Sequence, residues 1–295
     1  MQRERQIISG KLMEVDFYPI WNDGRRMPTR APKTRRSTEA QQKYNLKQSA
    51  LNYVRKINAN FDTGDVFMHV TYSPVSARDS ADECEKDMYN FIRRVRALRK
   101  KEYARLSELL KKSPKDTELK KRADKLSEPL RYCYVMEEKE YKSGSRKGSV
   151  SRHFHVFLTG GIDRDRLEDM WGLGVRVNAD RYQPERFGLE TAAKYCAKDP
   201  KGRKRFCCSR NLRRPQRPKP KDGRISARGV ERMAKQRTDD VGFWENRYKG
   251  YRFVRCFSRF NEYNGQWYVS VVMYKSECDR DIPPWNIDKD MAEMW

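Results

Sequence analysis

Two of the three histidines in this 295-residue chain, His153 and His155, are separated by a single residue. They lie in residues 151–159, a segment rich in β-branched and aromatic residues that predicts a β-strand. Alternate residues of a strand point to the same face of the sheet, so the two imidazoles could bind one metal ion. Taken alone, the pattern is equally compatible with two partly exposed histidines on a sheet surface.

A second strand, predicted over residues 131–138, carries two candidate carboxylates. It precedes the histidine strand and is joined to it by a glycine- and serine-rich tract, which favours an antiparallel pair. Glu137 and Glu138 are adjacent and point to opposite faces, so only one of them can reach the histidines. Two imidazoles and a carboxylate suit Mn²⁺ better than a structural zinc ion, and Mg²⁺ tolerates imidazole less well but is abundant. The third histidine, His69, lies on the first strand of the predicted core and could share the active face of the sheet. It is expected in the core or supporting the ligands rather than binding the ion.

Tyr195 and Lys198 stand three residues apart on a helix predicted over residues 188–198, and therefore on the same helical face. A tyrosine hydroxyl, with an ordinary pKa of about 10, is a weak nucleophile. A neighbouring cation and a metal-bound phosphate would favour the phenolate. The chain contains 16 tyrosines, and a half-buried tyrosine beside a solvated lysine is the commoner meaning of such a pair.

The composition points to a polyanionic partner. A net charge of +24 and an isoelectric point near 9.8 attract nucleic acid in the first instance. No apolar run has the length of a membrane span, and the first residues do not resemble a signal peptide. We therefore expect a cytoplasmic protein without a membrane partner.

The seven cysteines contain no CxxC pair, which predicts free thiols in a reducing compartment.

Residues 201–221 form a basic tract that contains ten lysines and arginines and no acid. Three prolines keep its second half extended, so the tract is either a linker or a segment that follows DNA. The residues assigned to DNA binding are Lys201, Arg203, Lys204, Arg205, Arg210, Arg213 and Arg214.

The order of predicted elements indicates an α+β protein, with an antiparallel sheet and helices packed on one of its faces. The predicted hairpin near the C-terminus joins strands 251–260 and 266–275 through Asn264 and Gly265. Four regions are expected: a basic N-terminal arm and helix over 1–60, a core over 61–200, a linker over 201–237, and a hairpin region over 238–295 that packs on the core.

Taken together, the ordered motifs resemble a known family. A strand ending in Val70-Thr71-Tyr72, a glutamate-bearing strand, the His-Phe-His triplet and the Tyr-x-x-Lys helix are similar to the motifs of HUH-superfamily rolling-circle replication initiators. The likeness is greater to the single-tyrosine Rep-like proteins of phages, plasmids and integrated elements, a branch related to the gene II protein of filamentous phages. It extends over residues 61–274.

The resemblance implies a ferredoxin- or RRM-like five-stranded antiparallel sheet with a C-terminal hairpin added. It implies that His153, His155 and Glu137 bind Mn²⁺ or Mg²⁺, that Tyr195 is the nucleophile and that Lys198 assists it. The implied reaction nicks single-stranded or hairpin origin DNA, leaving a 5′-phosphotyrosine link and a free 3′-OH for rolling-circle replication. Strand rejoining would follow. The implied setting is a bacterial host cytoplasm, with a host polymerase and helicase as partners.

Two other functions remain open at this stage. The chain could be a non-catalytic module that binds single-stranded nucleic acid through an aromatic and basic sheet face, as RRM-type folds do. It could also use the same active site as a relaxase or a transposase. The sequence has no P-loop, so any unwinding would come from a partner.

Overall fold

The computed structural model describes residues 1–21, 38–143, 148–174, 177–181 and 206–275. They fall into two compact units: a central unit within Ser49–Leu212, and a terminal unit within Met1–Gln48 and Arg213–Trp295. Each unit contains a five-stranded antiparallel sheet. The protein is therefore α+β, with two such sheets and six helices among the described residues.

The strands are β1 Gln2–Ser9, β2 Leu12–Pro19, β3 Val66–Thr71, β4 Tyr132–Glu140, β5 Val150–Leu158, β6 Val177–Arg181, β7 Cys207–Cys208, β8 Lys221–Asp222, β9 Tyr251–Asn261 and β10 Gln266–Lys275. The helices are α1 Glu39–Asn60, α2 Ala81–Lys112, α3 Thr117–Ser127, α4 Arg164–Trp171, α5 Ala227–Gln236 and α6 Val241–Arg247.

The central sheet has the strand order β6-β3-β5-β4-β7, with the histidine strand β5 in the middle. One face of this sheet is apolar and packs against α2, α3 and α4 in a single buried core. Helix α2 begins at a capping box, in which the Ser80 side chain accepts from the Glu83 amide and the Glu83 carboxylate accepts from the Ser80 amide. The apolar face of α2 then follows the helical period along Met88, Phe91 and Val95, all of them buried.

The opposite face of the central sheet, expected to carry no helix, is partly covered by α1. Tyr53 of α1 lies 6.5 Å, between ring centroids, from Phe157 of β5. Phe61 and Phe67 add further contacts to Phe157, at 5.8 and 4.7 Å. Phe67 and Phe157 point away from α2 because their neighbours in each strand point towards it. Burying these large rings requires a covering element, so the prediction of helices on one face alone is wrong.

The terminal unit joins the two ends of the chain in one sheet of order β8-β1-β2-β10-β9. The predicted hairpin is present as β9 and β10, and Gly265 has the positive φ of +64° that its turn requires. It is not a separate extension, because β10 also pairs with β2. Phe17 of β2 and Trp244 of α6 are fully buried in the core of this unit. The expected arm over 1–60, linker over 201–237 and hairpin region over 238–295 therefore each contribute strands to this one sheet.

Arg99 stabilises the central unit from inside. Its side chain is buried, and its guanidinium donates to carbonyl oxygens of Thr159, Gly160, Lys125, Leu126 and Glu128. These carbonyls belong to the end of α3, the turn after it and the two residues that follow β5. Arg99 thus ties three segments to α2, and a neutral substitute would leave buried carbonyls without donors.

Cys133 and Cys208 form a disulfide bond. They lie directly opposite one another on the neighbouring strands β4 and β7, with a Cα–Cα separation of 4.2 Å. The prediction of free thiols is wrong for this pair, because strand pairing brings together two cysteines that are 75 residues apart in sequence. Among the other described cysteines, Cys84, Cys207 and Cys256 are free.

Over the described residues, none of the helices combines the length and the apolar character needed to cross a membrane.

Candidate metal centre

The register of three strands brings the candidate ligands together. Glu137 of β4 pairs with His153 of β5, and His69 of β3 pairs with His155 of β5. Directly opposed residues in antiparallel strands project from the same face. Since His153 and His155 share a face, all four side chains project from the face opposite to α2.

One carboxylate oxygen of this cluster contacts two of the imidazoles. Glu137 Oε2 lies 2.7 Å from His153 Nε2 and 3.3 Å from His155 Nε2. The imidazole of His69 stacks on that of His155, with 4.7 Å between ring centroids, and meets that of His153 edge-on at 5.0 Å. One ligand atom from each of the three histidines can be chosen so that all three lie within 4.8 Å of one another.

Glu138 takes no part in this cluster. Its carboxylate lies 2.7 Å from Arg152 Nε, across the same strand pair but on the other face. Arg152 also donates to the carbonyl oxygens of Arg78 and Asp79. The structure thus places Glu137, and not Glu138, beside the two histidines.

His69 lies on the face of the sheet that carries the histidine pair, and its stacking on His155 makes it a candidate ligand rather than only a supporting residue. Its Nε2 atom is buried and has no hydrogen-bond partner among the residues that the structure describes. An imidazole nitrogen without a hydrogen bond, beside His153 and His155, is available to bind a metal ion. The alternation of side chains along β3 could have identified His69 as a ligand candidate. That alternation assigns His69 to a face only once its pairing with His155 is known.

Burial favours the neutral imidazoles of His69 and His155. Burial lowers the pKa of His155 to about 4, although its contact with Glu137 acts in the opposite direction. Burial also lowers the pKa of His69, and the neighbouring His153 lowers it further. The neutral form is the one that binds metal ions. The side chain of His153 is 18% exposed, compared with 5% for His155 and 8% for Glu137, so the cluster opens to solvent at His153.

The chemistry of the donor set fits a divalent cation. Neutral imidazole nitrogens and one carboxylate oxygen suit Mn²⁺ and related ions. The residues that would hold the ion are Glu137, His153 and His155, with His69 as a further candidate. A closed structural zinc site would use four ligands and favour cysteine, and neither Cys133 nor Cys208 belongs to this cluster.

The depressed pKa of His155 predicts that acid destabilises the metal-free protein. Its folded-state pKa of about 4 lies below the ordinary value of 6.5, so the unfolded chain binds more protons between these values. The free energy of unfolding should therefore fall as the pH drops from 6.5 to 4, by on the order of 3 kcal/mol. Thermal unfolding in EDTA across this range measures the slope. His155→Gln removes the titrating group and should flatten the slope, and an unchanged slope would contradict the assignment.

The structure describes only some of the other predicted site residues. Tyr195 and Lys198, the helix expected over residues 188–198, and Lys201, Arg203, Lys204 and Arg205 lie outside the described residues. Arg210, Arg213 and Arg214 are described, and all three are exposed.

Comparisons with protein-family models, with curated proteins and with solved structures find no match for this chain.

Proposed function

We propose that this protein is a metal-dependent, single-strand DNA nicking and joining enzyme that initiates rolling-circle replication. The observation that carries the proposal is the convergence of Glu137 Oε2, His153 Nε2 and His155 Nε2 on one face of the central sheet. The carboxylate and the two imidazoles are the ligand set expected from the resemblance to HUH-type initiators.

The substrate class follows from the charge of the chain. A net charge of +24 favours a polyanion, and phosphate contacts of this kind weaken steeply with salt. The cluster opens at His153, which offers an approach for a phosphodiester from solvent. A sheet face whose candidate metal ligands open to solvent at His153, on a strongly basic chain, supports phosphodiester chemistry better than a structural metal site.

Each side chain would have a defined role. Glu137, His153 and His155 would hold a divalent cation, which supplies polarisation of the scissile phosphate and stabilisation of its developing charge. Tyr195 would attack the phosphorus through its hydroxyl oxygen after losing its proton, and Lys198 would stabilise the phenolate. The new bond joins Tyr195 to the 5′-phosphate, the P–O3′ bond breaks, and the leaving 3′-oxygen takes up a proton.

The biological setting belongs to the same proposal. The free 3′-OH would serve a host polymerase, and a host helicase would supply unwinding. Attack of a 3′-OH on the phosphotyrosine link would rejoin the strand and release Tyr195. The site would act on single-stranded or hairpin origin DNA in a bacterial cytoplasm. A relaxase or a transposase would use the same residues on a different DNA.

The test is a covalent-adduct assay with the full-length protein. A labelled single-stranded or hairpin DNA from the genomic neighbourhood of the coding sequence is incubated with Mn²⁺ and then denatured in SDS. We expect an SDS-stable protein–DNA adduct, which is absent in EDTA, and a peptide carrying the label on Tyr195. DNA binding without an adduct on any such substrate would favour the non-catalytic binding module instead.

A further inference from the structure

We propose that the protein has a second site for single-stranded DNA, in a cleft on the helical side of the central unit. The cleft has a volume of about 990 Å³. We name it the tyrosine–arginine cleft, after lining residues that share aromatic or basic character: Tyr89, Arg96, Lys100, Tyr103, Tyr132 and Arg210.

The cleft and the histidine cluster lie on opposite faces of the same sheet. Tyr132 and Glu137 are both on β4, five positions apart, and strand side chains alternate between faces. Tyr132 packs against the core beneath α2, whereas Glu137 contacts the histidines on the other face. DNA held in the cleft would therefore be held away from the metal ligands.

Helix α2 presents four of the lining residues as one continuous stripe. Tyr89, Arg96, Lys100 and Tyr103 are separated by seven, four and three positions, which brings them to one side of a helix. At a rise of 1.5 Å per residue the stripe is about 21 Å long. A stacked single strand advances about 3.4 Å per nucleotide, so the stripe matches on the order of six nucleotides.

The charge of the cleft is complementary to phosphate. Arg96, Lys100 and Arg210 are exposed and make no ion pair with a described residue. The acid in the lining, Glu128, is already paired with Arg131 at 2.8 Å. The buried guanidinium of Arg99 at the base of the cleft is occupied by backbone carbonyls. Three cations are thus available to a ligand.

The tyrosines distinguish a single strand from other polyanions. Tyr89 and Tyr103 are 66% and 41% exposed, and they stand at the two ends of the stripe with Arg96 and Lys100 between them. Unstacked bases can lie on such rings, and this interaction is tolerant of base sequence. Duplex DNA offers stacked bases that the rings cannot reach, and an acidic peptide would use the cations alone.

This inference does not depend on the proposed nuclease activity, so it can be tested in EDTA, where no cleavage occurs. The probe is a short fluorescent oligothymidylate, titrated with the full-length protein and followed by anisotropy. Arg96→Ala/Lys100→Ala should weaken binding roughly tenfold. The matched control Lys101→Ala/Lys112→Ala removes the same charge from the opposite side of α2 and should stay within about twofold of the wild type.

A second pair of variants separates stacking from charge. Tyr89→Ala/Tyr103→Ala should weaken oligothymidylate binding roughly tenfold while leaving duplex binding unchanged. An oligonucleotide carrying 5-iodouracil should crosslink to peptides that contain Tyr89 or Tyr103. The inference is overturned if the cleft variants bind like the control, if the tyrosine pair weakens duplex binding equally, or if polyglutamate competes as well as DNA. A protein that binds through the cleft but forms no covalent adduct would support this site and refute the nuclease.

Discussion

Tyr195→Phe should abolish the SDS-stable DNA adduct and lower the nicking rate by a factor on the order of 10³ or more. Phenylalanine has no hydroxyl, so no P–O bond to the protein can form. The ring is retained, and DNA binding should stay within about twofold of the wild type because phosphate contacts dominate the affinity. Quenched single-turnover cleavage of labelled DNA in Mn²⁺ measures the rate, and gel electrophoresis in SDS detects the adduct.

The control for this prediction is a surface tyrosine of the terminal unit that is no part of the histidine cluster. Tyr263 is fully exposed in the turn between β9 and β10, and Tyr263→Phe should nick at the wild-type rate. Adduct formation by the Tyr195→Phe protein would mean that another residue is the nucleophile. In that case the labelled peptide would identify the residue directly.

Glu137→Gln should weaken Mn²⁺ binding about 100-fold, which corresponds to about 2.7 kcal/mol, and should lower nicking in parallel. The carboxylate oxygen that contacts both histidines is replaced by an amide, which carries no charge to offset that of the cation. The shape of the side chain is almost unchanged. Calorimetric titration of the full-length protein with Mn²⁺ measures the affinity without reference to activity.

Glu138→Gln is the matched control, since it makes the same change one residue away. Glu138 pairs with Arg152 on the other face of the sheet, so its loss should leave Mn²⁺ affinity within about twofold of the wild type while costing at most a few kcal/mol of stability. Equal losses in both variants would show that the effect is one of net charge. An unchanged affinity in Glu137→Gln would remove Glu137 from the ligand set.

Local patterns were sufficient to predict most of the central sheet. The strands carrying His69, Glu137 and His153 were anticipated because alternation and aromatic content are properties of single segments. Their pairing could be inferred for β4 and β5, which the intervening turn joins. The pairing of β3 with β5 is not local, so the position of His69 beside His155 became visible only in the folded chain.

Contacts between residues distant in sequence account for most of what sequence reasoning missed. Gln2–Ser9 was interpreted as part of a basic arm, because its partners β2 and β8 do not reveal its strand character in isolation. Arg99 stands among the many lysines and arginines of α2, yet its side chain is buried against carbonyl oxygens such as that of Thr159. A periodicity argument assigns a cation to the surface and cannot anticipate such an internal role.

The discontinuous terminal unit has a consequence for synthesis on the ribosome. Val15 of β2 pairs with Val271 of β10, which the ribosome adds about 250 residues later. The strands of the central sheet all lie between Val66 and Cys208, so they emerge before β9 and β10 exist. We expect the central unit to fold first, because domains form as their residues leave the ribosome. Until β10 is synthesised, the hairpin of β1 and β2 leaves one edge of β2 unpaired. We expect this edge to be the part of the nascent chain that is most prone to incorrect strand pairing.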